Sequence, residues 1–299
     1  MATHRDIVIV PAYFRPEFLH LCIEHLYACP DLLNKDVWIY QDMKHDDRET
    51  FKEELRETEI VLDYWKRGFG NRLKAVIRPE NGFYGNSYNV LSAYQKAYET
   101  DAKYVYLVEE DVFVTPDFFR WHEAVQEQEP NFFCTIAGKA EANNISFAGE
   151  IAGAYFASEH YRSLGVCWKR ENLKEIVRHA QFEYFHNSTT YLLKHFPDSN
   201  LGLTMLEQDG LIQRIMEQTF QLAGWACLPR AYHVGVYGYH RGIGKDNMFV
   251  GTFPERVEMI RKAVSDPEWL KKVADFQTDV QAFPLQETPS WEKVFPFSL

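Results

Sequence analysis

Three adjacent carboxylates, Glu109-Glu110-Asp111, follow the apolar run Tyr104-Val105-Tyr106-Leu107-Val108. Like charges at successive positions repel one another, so a cation or a basic partner has to compensate them. Mg²⁺ or Mn²⁺ does so economically, because these ions take one or two carboxylates and keep positions open for diphosphate oxygens. A solvated acidic turn, with Asp111 capping local backbone, is the alternative that spacing leaves open. No Walker-type phosphate loop is present, which argues against ordinary kinase or ATPase chemistry. A second acidic segment, Leu206-Glu207-Gln208-Asp209-Gly210, precedes a helical pattern, where a carboxylate either does chemistry or caps the helix. Further on, Tyr232-His233-Val234-Gly235 offers an imidazole that suits Mn²⁺ or simply packs.

The elements that must position these groups alternate. Ile7-Val8-Ile9-Val10 reads as a strand buried on both faces, and Phe18, Leu19, Cys22, Ile23 and Leu26 recur at helical spacing between Pro16 and Pro30. A second strand, Val37 to Tyr40, ends at Gln41-Asp42, and the charged stretch Asp46 to Glu57 predicts a mostly solvated helix. Leu73 to Ile77 predicts a third strand, followed by the turn Arg78-Pro79-Glu80-Asn81-Gly82 and a helix from Asn86 to Tyr98. Tyr104 to Val108 is the fourth strand. Beyond it the pattern predicts a helix over Asp117–Gln128, a strand over Phe132–Ala137, a helix over Leu211–Phe220, a strand over Trp225–Leu228 and short amphipathic helices after Phe253. Alternating strands and helices imply an α/β fold with a mostly parallel sheet flanked by helices. Ligands then bind beyond the carboxyl ends of the strands.

Three motifs at those strand ends carry a resemblance. Val10-Pro11-Ala12-Tyr13-Phe14-Arg15-Pro16, Asn81-Gly82-Phe83-Tyr84-Gly85-Asn86-Ser87-Tyr88-Asn89, and Val108-Glu109-Glu110-Asp111 with Pro116-Asp117-Phe118-Phe119 resemble, in order, the opening motifs of inverting GT-A glycosyltransferases. The likeness extends over roughly the first 120 residues and is nearest to the family 2 and N-acetylglucosaminyltransferase I types. It implies a Rossmann-like GT-A domain and a nucleotide-sugar donor, UDP-linked. Pro11, Tyr13 and Arg15 would line the nucleotide pocket with Asn81 and Asn89, and Asp42 would accept a hydrogen bond from the base. The usual central Asp is Glu110 here, so the resemblance assigns the metal to Asp111, with Glu110 helping on the donor side and His233 completing the site. It also puts the general base of direct displacement at Asp209, ahead of Glu207. A carboxylate suffices there because the acceptor hydroxyl becomes acidic only as it attacks. Trp168 would shape a sugar pocket or lie in the core, and the Gly-rich Gly235 to Gly244 reads as a loop that could fold over the diphosphate.

Composition bounds the rest. A chain of 299 residues with 46% hydrophobic residues can bury a sizeable core. The expected organisation is one domain over 1–250, with a nucleotide-binding half at 1–120 and an acceptor half at 121–250, and a helical appendage at 251–299. A net charge of −11 disfavours a broad nucleic-acid footprint, although a modified DNA base stays among the acceptors, with glycans, small metabolites and protein side chains. No run is long enough to span a bilayer and five scattered cysteines suit a reducing compartment, so the expectation is a cytoplasmic protein. The rival readings are a nucleotidyltransferase, which needs a glycine-rich basic loop that Pro11–Pro16 does not supply, and a binding module without catalysis.

Overall fold

A computed structural model describes residues 5–43, 47–77, 85–138, 153–237, 249–269 and 295–296. The first half runs β1 (Asp6–Ala12), α1 (Pro16–Tyr27), β2 (Lys35–Gln41), α2 (Asp47–Thr50), α3 (Lys52–Phe69), β3 (Leu73–Ile77), α4 (Asn86–Tyr98) and β4 (Tyr104–Leu107). Then come β5 (Val112–Val114), α5 (Phe118–Gln128), β6 (Cys134–Ile136), β7 (Ala154–Ser158), β8 (Val166–Lys169), α6 (Leu173–Val177), α7 (Phe182–His186) and α8 (Ser188–His195). The chain closes with α9 (Gln208–Thr219), β9 (Ala223–Ala226), β10 (Ala231–His233), α10 (Phe253–Val264) and β11 (Phe295–Pro296).

Nine of the described strands form one mixed, mostly parallel sheet in the order β11-β7-β9-β6-β8-β4-β1-β2-β3. β4, β1, β2 and β3 are mutually parallel, and β8 runs against both β4 and β6. The expected α/β class, with helices on both faces, is what the chain adopts. Period-two alternation explains the layering, since successive side chains of a strand face opposite sides. Val8 and Val10 of β1 and Tyr104 and Tyr106 of β4 face the core shared with α1, α3, α5 and α10. Ile7, Ile9, Val105 and Leu107 face the core shared with α4, α6 and α9. The chain leaves β1 toward β2 and β3 on one side and returns to β4 on the other, so the strand order reverses between β1 and β4. Backbone diverges there and leaves a crevice at the carboxyl ends.

Two elements depart from expectation. The charged helix does not stop near Glu57. It continues to Phe69 because Val61, Leu62, Trp65 and Phe69 form a buried stripe beneath its charges. α10 is also docked on the body of the protein: Val257 and Ile260 enter the first core, and Arg261 pairs with Glu24 of α1. All five cysteines are buried and free, as their scatter suggests. Trp168 belongs to the core, fully buried, with its indole N–H donating to Tyr94 Oη at 3.1 Å.

The turn that delivers α9 is held by one buried arginine. Arg214 donates to the carbonyls of Gly202, Thr204, Met205 and Gly210 at 2.8–2.9 Å. Gly210 is required where it stands, because a Cβ would collide with the Met205 carbonyl. Lysine offers one nitrogen on a flexible stem and cannot serve four acceptors at once. Arg214→Lys should therefore cost about 2–4 kcal/mol in urea unfolding. A variant within about 0.5 kcal/mol of wild type would contradict this account of the turn.

Candidate active site

The site assembles where β1 and β4 part. The Glu110 amide donates to the Pro11 carbonyl at 3.2 Å, and the Asp42 amide donates to the Ala12 carbonyl at 2.9 Å, so the three strand ends splay from a common joint. Phe14 then takes a left-handed conformation, φ 49°, unusual for a bulky residue, and its ring stacks on Phe51 at 4.6 Å. That turn aims Arg15 back at the acidic motif. Its Nε donates to Glu110 Oε1 at 2.7 Å, and its Nη1 donates to Asp111 Oδ2 at 2.7 Å and to the Tyr237 carbonyl at 3.2 Å. The Tyr13 amide adds a bond of 3.0 Å to Glu110 Oε1.

This arrangement sorts the three carboxylates. Burial alone would raise the Asp111 carboxyl, but Arg15 and His233 outweigh it and hold the group well below the usual carboxylate range. Burial pushes Glu110 up to about 7, with Arg15 pulling the other way, and its Oε2 is buried with no partner among the described residues. Glu109 is only partly covered, and burial together with Asp111 and Asp209 raises it.

His233 arrives by a pairing that short sequence windows do not reveal. β5 and β10 form a two-stranded antiparallel ribbon that sets His233 opposite Val112, and the Val234 amide donates to the Asp111 carbonyl at 2.8 Å. Its Nε2 lies 3.3 Å from Asp111 Oδ2. Two ligands of one Mn²⁺ or Mg²⁺, with bonds of about 2.0–2.2 Å at right angles, lie about 3 Å apart, so this pair fits a shared cation. Gly235 keeps the space open: a Cβ there would strike the Asp111 carboxylate and come within 3.0 Å of His233 Nε2. No group of three or more His, Cys, Asp or Glu side chains among the described residues could enclose a metal.

The residues expected around the nucleotide are held by structural contacts. Pro11 is buried within β1, and Tyr13 is half-buried, edge-on to Phe14 and Phe51. Asp42 is buried; its Oδ1 accepts from the Met43 amide at 3.0 Å and its Oδ2 from the Gly85 amide at 2.9 Å. Asn89 is buried too, donating to the Tyr40 carbonyl at 2.7 Å, with its own Oδ1 unpartnered among the described residues. Asp42 and Asn89 thus brace the joint between β2 and α4. Asn81 lies outside the described residues, as does the part of the Gly-rich loop over 238–248.

Across the crevice, α9 begins at the pair expected to supply a base. Glu207 is the exposed N-cap residue, and Asp209 sits in the first turn, partly buried. Ser163 donates to Asp209 Oδ2 at 3.1 Å, and Asp209 Oδ1 is buried with no partner among the described residues. The Gln208 amide donates to Ser87 Oγ at 3.0 Å, tying the start of α9 to the start of α4. Burial pushes Asp209 up to about 6 against the pull of Ser163. The structure thus brings Asp111 and His233 together with Arg15, and sets Asp209 near enough for its charge to reach Glu109. Sequence reasoning missed Ser163, which carries no motif of its own, and read Tyr237 only as part of the Gly-rich loop rather than as a partner of Arg15.

The sequence matches no protein-family profile and no curated protein sequence. Among solved structures, TarS 1–349 of S. aureus in complex with UDP-GlcNAc is similar at 14% identity and a TM-score of 0.47, covering 91% of this chain and 71% of that one. An active-site mutant of LgtC is similar at 9% identity and a TM-score of 0.45, covering 93% and 98%. The mannosyltransferase PcManGT from Pyrobaculum calidifontis, in complex with GDP-Man and Mn²⁺, gives 16% identity, a TM-score of 0.40 and coverage of 64% and 53%. The chain spans 58% of TarS 1–349 in a second structure of that protein, little more than half, as with PcManGT. At these identities and scores, function must be argued from the residues of this chain.

Burial fixes the sign of one effect. A carboxyl raised to about 6 from an ordinary 3.8 is disfavoured as the anion in the folded state, so its ionisation costs stability. That cost is absent below the unfolded pKa, grows as pH rises through the interval and is complete above about 6. Asp209→Asn, neutral throughout, should raise stability by about 1–2 kcal/mol at pH 8, with the gain vanishing near pH 4. Destabilisation at pH 8 in denaturant titrations would show that Asp209 is not held against its charge.

Proposed function

We propose that the chain is a glycosyltransferase that uses a divalent metal, Mn²⁺ or Mg²⁺, to pass a sugar from a nucleotide sugar to a hydroxyl acceptor with inversion. The observation that carries the reading is the convergence of Asp111 Oδ2 and His233 Nε2, 3.3 Å apart, at the reversal of strand order, with the partly buried carboxylate of Asp209 entering from the other half. The resemblance of the three strand-end motifs supplies the donor class, UDP-linked, and the direction of displacement. One domain over 1–250, with its nucleotide and acceptor halves meeting at the crevice, is part of the same reading.

In this reading Asp111 and His233 hold the cation, which when bound offsets charge on the departing diphosphate. Arg15 and the Tyr13 amide fix Glu110 beside it. Asp42, buried at the β2–α4 joint, is the residue the resemblance assigns to the base. Asp209 accepts the proton of the acceptor hydroxyl. Its raised pKa strengthens it as a base while leaving it ionised at neutral pH, and its buried Oδ1, which has no partner among the described residues, is where the hydroxyl would bond. Glu207, exposed at the N-cap, has water to satisfy it. The nucleotidyltransferase alternative is weaker, because the loop after β1 spends Arg15 on the acidic motif and offers no glycine-rich cradle. No described helix is long and apolar enough to cross a membrane. The acidic balance favours an acceptor other than nucleic acid, and a cytoplasmic setting stays within the proposal.

The test is turnover of a panel of nucleotide sugars read by mass spectrometry, with and without Mn²⁺. Asp111→Asn should lose the metal-dependent rate. Asp209→Asn should keep donor affinity and lose transfer by about 10²–10⁴-fold, and the wild-type rate should fall as pH drops below about 6. Wild-type transfer by Asp209→Asn, with a slow Glu207→Gln, would move the base to Glu207. A wild-type rate indifferent to chelator would end the metal assignment.

A further inference from the structure

A buried charge network that the reaction does not use runs into the site from the C-terminal helix. Glu17 in α1 is fully buried. Its Oε1 accepts from Arg256 Nε of α10 at 2.5 Å, and its Oε2 accepts from the Tyr237 hydroxyl at 2.8 Å. Arg256 is itself buried, and also donates to Glu57 Oε2 of α3 at 2.6 Å and to the Gly251 carbonyl at 2.7 Å. Tyr237, 3% exposed, is thus pinned through its side chain while its backbone carbonyl accepts from Arg15 Nη1. It also stands two positions beyond Gly235 and four beyond His233 in the same chain segment.

The geometry points to Glu17, Tyr237 and Arg256 as positioning residues for the acidic motif, acting through Arg15 on the access of a divalent cation to Asp111. This inference rests on the reading of Asp111 and His233 as the cation site. Arg15 Nη1 is shared, 2.7 Å from Asp111 Oδ2 and 3.2 Å from the Tyr237 carbonyl. A cation taking Asp111 Oδ2 competes with that guanidinium, which must give up a charge-assisted bond. A carbonyl held in place beside it is a ready acceptor for the released N–H, and it lowers the cost of the exchange because a buried donor is not left unpaired. Were the Tyr237 carbonyl free to wander, Arg15 would stay on Asp111 and the cation would bind less tightly. The packing of α10 on α1 is therefore coupled to the site by a continuous path of hydrogen bonds and ion pairs. A helix read from sequence as an appendage becomes part of the machinery.

Tyr237→Phe is the decisive variant, because it removes only the hydroxyl and keeps the Arg256 ion pairs; Arg256→Met would leave Glu17 and Glu57 uncompensated and unfold the packing. Two readouts on the full chain are made without turnover. In the metal-free protein, the Arg15 Nε–H resonance, assigned by its loss in the charge-preserving Arg15→Lys, should shift and exchange with water several-fold faster in Tyr237→Phe. In Mn²⁺ titrations followed by electron paramagnetic resonance, Tyr237→Phe should bind about three- to tenfold more weakly than wild type, and should have no such effect in the Arg15→Lys background, where no guanidinium bridges Asp111 and the Tyr237 carbonyl. An unchanged Arg15 resonance together with wild-type Mn²⁺ affinity would overturn the inference. So would an equal loss of affinity in both backgrounds, which would make the effect general rather than carried by Arg15. If the wild-type chain binds no Mn²⁺, the cation reading of the site falls, while a shifted Arg15 resonance in Tyr237→Phe still establishes the path.

Discussion

The structure around the crevice depends on one electrostatic constraint: acidic side chains packed at the end of β4 must be neutralised in a place largely shut off from water. Arg15 meets it with two bonds of 2.7 Å, one to Glu110 and one to Asp111. Breaking a buried pair on one side leaves an uncompensated charge, a penalty of several kcal/mol, so a cation at position 15 is a requirement of folding. The rest of the loop serves this placement. Phe14 accepts a left-handed backbone, Phe51 stacks on it, and the Tyr13 amide adds a second bond to Glu110 Oε1.

Sheet topology then decides what shares the crevice. Because β1 and β4 part there, the loops after both strands face each other, and the β5–β10 ribbon folds His233 over Asp111. The other half contributes α9, fastened by Arg214 at its entry turn and by Ser87 at its first amide. Rigid elements therefore hold groups of opposite demand. Asp111 is kept ionised by cations, while Asp209 is pushed by burial toward the neutral acid. In the proposed reading, this separation between carboxyls suits one to a metal and the other to a proton.

Much of this was legible in sequence, and the reasons for the rest are physical. Continuous apolar runs marked β1 and β4, and the change from apolar run to carboxylates marked the candidate site, because both signals are local. The α4 boundaries and the start of α9 were close for the same reason. β5 was not legible: Val112-Phe113-Val114 is too short to announce a strand, and only its pairing with Ala231–His233 makes it one. The full reach of α3 was masked by the charged residues that surround its buried stripe. Partners were least legible of all. Arg15 reads equally well as a ligand of phosphate, and only the fold places it on Glu110 and Asp111. The link from Arg256 through Glu17 to Tyr237 spans 239 positions of sequence separation and leaves no local trace.

The central claim is that Asp111 and His233 form a cation seat shared with a nucleotide diphosphate. Calorimetric titration of UDP into the wild-type chain, with Mn²⁺ and then with excess chelator, tests it most directly. The account predicts binding strengthened by Mn²⁺ by about tenfold or more, since the ion's open positions are filled by diphosphate oxygens. Equal affinity in the two titrations, or no binding in either, would contradict it.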